Sequence, residues 1–126
     1  MTVAEGGGGN PVDHAVVRLD HGDAVVTREA AESMRRALLR FFERPGSGAR
    51  PDQLTELRTN VAAIDAEGVV RVGGWLLEGR LDRLVWTEQT RHGSMFHVNV
   101  AYLEPQPDGT WRVSAMDRED VPLQNP

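Results

Sequence analysis

The chain contains no cysteine and no lysine. The first absence removes disulfides, thiolate nucleophiles and zinc–thiolate sites. It leaves the compartment open, because a cysteine-free chain tolerates either redox environment. The second removes Schiff-base chemistry, a pyridoxal-phosphate lysine and a P-loop lysine; all 14 basic residues are arginine. No apolar run approaches the ~20 residues of a membrane span. The first residues, MTVAEGGGGNP, have neither a basic nor an apolar segment of the kind that directs secretion, so a cytoplasmic protein is expected. Positive charge is in deficit as well. A net charge of −5 argues against nucleic acid or an anionic membrane as the main partner. There is no G-x-S-x-G, no H-x-x-x-H or H-x-H, and no nucleotide-binding glycine loop. No cofactor and no metal site is expected.

What is present fits one soluble domain: 126 residues, 40% of them apolar, suffice for a core without metal or disulfide staples. Residues 1–11 read as a Gly-rich tail, 12–120 as the domain and 121–126 as a polar, proline-punctuated end. VDHAVVRLD (12–20) predicts a short strand and HGD (21–23) a turn. TREAAESMRRALLRFFER (27–44) predicts a long helix. Met34, Ala37, Leu38, Phe41 and Phe42 recur at helical spacing, with Thr27 as cap and Glu29 at the positive end of the dipole. PGSGARP (45–51) ends it. PDQLTEL (51–57) is either part of a loop or a single helical turn with Pro51 first. Strands are expected at 56–65, 69–79, 80–91, 95–105 and 111–117, with Gly73-Gly74 as a bulge or bend and PDGT (107–110) as a hairpin turn. One helix against an antiparallel meander of four to six strands is an α+β domain, its sheet curved around the helix.

The last hairpin, VAYLEPQPDGTWRVSAMD (100–117), resembles the terminal hairpin of the cystatin-like and NTF2-like (SnoaL-like) α+β cone. The likeness in layout extends over residues 27–117. NTF2-like domains usually place two or three helices before the main sheet, whereas one is read here, which is the simpler cystatin-like arrangement. The resemblance implies a pocket between helix and sheet. In such a pocket Asp117 and Tyr102 stand as the acid–base pair, with Trp86, Met34 and Phe41 against a small apolar ligand that is bound, isomerised or hydrated. Asp65, Asp82 and Glu88 are further carboxylates at strand positions, though strand-end carboxylates are mostly solvated or paired to arginine.

The four histidines give no ligand spacing. His14 and His21 are seven apart, His21 and His92 fall in turns, and His97 stands on a strand. In SMFHVNVAY (94–102) strict alternation assigns Phe96, Val98, Val100 and Tyr102 to one face and Met95, His97, Asn99, Ala101 and Leu103 to the other. The more apolar set is expected under the helix. The mixed set, with Met95, His97, Asn99 and Leu103, is then expected on the outer face as an interface for a protein partner or a second copy. The first functional expectation is therefore an acidic interaction or accessory module. The second is the pocket protein implied by the resemblance.

Overall fold

The computed structural model describes residues 13–122; the tail expected at 1–11 lies outside them. The chain opens with a hairpin of β1 (His14–Leu19) and β2 (Gly22–Thr27), paired in register from His14↔Thr27 to Leu19↔Gly22. β2, unforeseen in the sequence, runs directly into α1 (Arg28–Glu43). The Thr27 hydroxyl accepts the Ala30 N–H at 3.1 Å, satisfying one donor of the first turn. α2 (Pro51–Thr59) follows, then β3 (Ala63–Ile64), β4 (Val70–Val72), β5 (Trp75–Arg80), β6 (Arg83–His92), β7 (Met95–Pro105) and β8 (Trp111–Pro122). These six strands form one antiparallel meander in chain order. The fold is thus α+β, with α1 packed on a six-stranded sheet.

Besides β2, three segments differ from expectation. Residues 51–59 are a nine-residue helix, so the helical alternative for 51–57 holds, and the helix extends through 56–59, where a strand was expected to begin. Pro51 at its first turn, Asp52 at the positive end and the buried Gln53 and Leu57 on one face favour it, and only Ala63–Ile64 pairs as strand. Residues 69–79 are two strands. Val72 pairs with Trp75 across Gly73-Gly74, so the glycines are a two-residue hairpin turn, with Gly73 at φ 54°. β8 continues past 117 to Pro122, carrying Val121 and Pro122 into the sheet.

α1 buries Ala31, Met34, Ala37, Leu38 and Phe42 against Trp75, Leu77, Leu84, Trp86, Ala101 and Leu103 of the sheet. The β1–β2 hairpin closes the core with Ala15, Val17 and Val26. Leu57 seats α2. The buried Arg35 of α1 donates to the Leu57 carbonyl and to the Glu32 carboxylate, and Glu32 accepts the Ala62 N–H at 2.9 Å. One ion pair thereby satisfies the end of α2 and the segment after it. Arg35 holds the Glu32 carboxyl below its usual range, with the Ala62 N–H and Arg36 adding to the effect against burial.

Candidate functional site

β6 and β7 carry buried residues on both faces, and pairing decides which face meets the helices. Trp86 stands opposite Ala101 and is fully buried with it in the main core. Alternation then places Glu88, Asn99, His97, Met95 and Leu103 on the helix side. The faces expected from sequence are therefore reversed. Phe96, Val98, Val100 and Tyr102 are on the outer face, and Leu103 is in the core. The physical reason is volume: α1 lies over this part of the sheet, and among the β7 candidates only Ala101 is small enough to sit beside an indole beneath a helix. That pairing of the largest β6 residue with the smallest β7 residue was the available sequence signal.

No element among the described residues covers the outer face. Its cross-strand rows are Leu76, Thr87, Val100 and Asp117; then Gln89, Val98 and Glu119; then Arg91, Phe96 and Val121. Val85 and Val100 are fully buried here, apart from the main core. Long polar side chains roof them: Arg80 Nη2 lies 3.7 Å from Glu119 Oε2 across two intervening strands. The Thr87 hydroxyl donates to the Glu78 carboxylate, and the Arg83 guanidinium lies 5.5 Å from the Tyr102 ring centre. Beside this roof is a groove of about 480 Å³, with Leu76, Thr87 and Val98 in its floor and Arg71 and the Gly73-Gly74 turn on its rim. Phe96, Val98 and Leu76 are half-buried, and Val121 is 41% exposed.

The helix side carries a polar network where β6–β8 run beyond the core. Both Glu88 carboxylate oxygens lie within 3.3 Å of the Gln53 amide nitrogen of α2, and Arg50 Nη2 is 3.8 Å away. Asn99 pairs with Glu88 on one side and Arg118 on the other. His97 Nδ1 lies 2.7 Å from Asp120 Oδ1 and 2.8 Å from Arg118 Nη2, and Arg118 Nε donates to the same carboxylate at 3.1 Å. Nδ1 cannot serve both neighbours at once. Protonated it donates to Asp120, and unprotonated it accepts from Arg118. His97 first and Arg118 second hold the Asp120 carboxyl below its usual range. The His92 ring is 5.7 Å from that of His97, centre to centre. Among the described residues no group of three His, Asp or Glu side chains has metal-binding geometry.

Among the described residues the five side chains of the implied pocket are not brought into one site. Trp86 and Met34 are core residues, and the space between α1 and the sheet is filled by Met34, Leu38, Phe42, Trp75 and Trp86. Among the described residues the N–H groups of Trp75 and Trp86 have no acceptor. Phe41 is half-buried at the C-terminal end of α1. Asp117, exposed, and Tyr102, half-buried, share the outer face on neighbouring strands, away from the helices.

No protein-family model matches the chain, and comparison with curated proteins and with solved structures returns no significant match.

Proposed function

We propose that the protein is a small accessory module that associates with a second copy of itself through the outer face of β5–β8. The observation that carries this reading is a sheet face that no described element covers, where Leu76, Phe96, Val98 and Val121 share a surface with charges of both signs. Arg71 and Arg80 are already paired with Asp65 and Glu119, whereas among the described residues Arg91 and Asp117 have no ion pair and give a second copy, turned by a two-fold axis, charges of opposite sign to meet. An antiparallel sheet wet on one face ordinarily shows polar residues there; apolar residues in number favour a partner. The arrangement of α1, α2 and the meander is also consistent with the cystatin-like and NTF2-like cone, and α2 supplies a second helix before the main sheet. The pocket which that likeness implies is occupied by core side chains, which favours docking over small-ligand chemistry.

Light scattering coupled to gel filtration tests the proposal. The wild-type protein is expected to run at twice the chain mass. Val98→Arg is expected to run at the chain mass while keeping a cooperative thermal transition, which separates a lost interface from a lost fold. A wild-type monomer at every concentration overturns the self-association. So does a Val98→Arg protein that remains dimeric.

A further inference from the structure

At the opposite end of the molecule the last turn of α1 and the start of β8 border a cleft of about 300 Å³. Phe41 and Trp111 form its walls, the buried Ala37 and Val113 its floor, and Arg40, Arg44 and Arg112 its rim. We propose that this cleft binds a small free aromatic anion, an aromatic ring bearing a carboxylate or phosphate.

The arginines are held in position while keeping donors free. Arg40 Nη2 donates to the Trp111 carbonyl at 3.3 Å, which uses one N–H of its guanidinium. The Arg44 guanidinium lies over the Phe41 ring, 4.1 Å from its centre, a cation–π contact that uses none of its N–H donors. Among the described residues neither Arg40 nor Arg44 has a carboxylate within 4.0 Å. Arg112 is different, because its charge is matched by Glu104. Asp108, in the adjoining turn, is hydrogen-bonded by the Thr110 hydroxyl and N–H, and its carboxyl is held below the usual range by those bonds first and by the Arg40 charge at longer range.

Two cations without a direct ion pair, of which Arg40 shares only the longer-range attraction of Asp108, make this a local excess of positive charge on a chain of net charge −5. Pairing with the negative end of α1 accounts for a cation in the last turn. It does not account for the aromatic walls or for the tie from Arg40 to β8. Flat walls select a flat ligand, and the guanidinium edges select an anionic group on it. The volume is at the lower limit of about 300–1,000 Å³ for small-molecule sites. Gln106 and Thr110 of the β7–β8 turn border the cleft, which suits a compact molecule better than a passing chain.

The test uses the full chain labelled with ¹⁵N. Trp75 and Trp86 are core residues, so of the three indole N–H signals only that of Trp111 reports on the cleft. Trp111→Phe assigns it. Indole-3-acetate, phenylacetate and phenyl phosphate are titrated beside indole-3-acetamide and phenylacetamide. At least one anion is expected to shift the Trp111 signal with Kd below about 1 mM. Its uncharged counterpart is expected to bind at least tenfold more weakly. Arg40→Gln and Arg44→Gln are each expected to weaken binding about tenfold. The Trp75 and Trp86 signals should stay in place, which keeps a lost fold from imitating a lost site. Equal binding of acid and amide overturns the proposal. So do unchanged affinity in the Arg40→Gln, Arg44→Gln double variant and the failure of all three anions to move Trp111.

Discussion

At Gly79 the backbone of β1 crosses β5 so closely that a Cβ would collide with the Arg18 carbonyl and lie 2.6 Å from Leu19 Cδ2. Gly79→Ala is therefore expected to cost about 1–3 kcal/mol, the range for overpacking, read as a lowered denaturation midpoint. Two residues on, the turn between β5 and β6 places Leu81 at φ 46° and Asp82 at φ 69°, a left-handed pair with no glycine. Leu81 is 75% exposed, so no burial offsets the strain. Leu81→Asn keeps the turn and tolerates that conformation; it is expected to stabilise by about 0.5–1 kcal/mol in urea unfolding. Asp82 is better kept, since its carboxylate is 2.9 Å from His21 Nε2. Glu32 gives the pH dependence. Its carboxyl is lowered in the folded state from the ordinary 4.5, so its stabilisation is complete above about pH 4.5 and is lost as pH falls through the folded value. Glu32→Gln is expected to lower the melting temperature at neutral pH and to flatten the acid limb of its pH profile below that of wild type.

Among the elements, α1 was legible because every local signal agreed: cap, apolar spacing and a Pro-Gly stop. Thr27→Ala should destabilise by about 1 kcal/mol in thermal or urea unfolding through loss of that cap. α2 was legible only as one of two alternatives, and its length was missed, for the opposite reason. It buries only Gln53 and Leu57, too few for a periodic signal, and the extended Asn60–Ala62 segment that follows blends with the short strand β3. Gly73-Gly74 left bend and turn open because the difference lies in pairing. Only the alignment of Val72 with Trp75 makes it a turn. The β7–β8 turn needed no such help. Gly109 at φ 86° and the Asp108 side chain that accepts the Thr110 N–H at 3.0 Å specify it locally.

For the whole molecule the sequence determined class and strand order, and misjudged which face was which. Alternation gives two sets of residues but not their sides, and here both sets contain apolar side chains. The larger set, Phe96 to Tyr102, lies outward because α1 needs Ala101, not a valine, beside Trp86. The network of His97, Asp120 and Arg118 was likewise beyond the sequence. It depends on a register that places residue 97 opposite residue 120. The order of the sheet also bears on how the chain reaches this state. Every strand from β3 to β8 pairs with its neighbour in sequence, so the sheet assembles from short closures, the route that permits fast folding. The crossing of β1 over Gly79 is instead a contact between distant parts of the chain. If that crossing forms after the folding barrier, Gly79→Ala should raise the unfolding rate and leave the folding rate nearly unchanged in a chevron plot; a slowed folding limb would place the crossing in the nucleus instead. The hairpin would then act as a latch, and its release would set how long each folded molecule lasts.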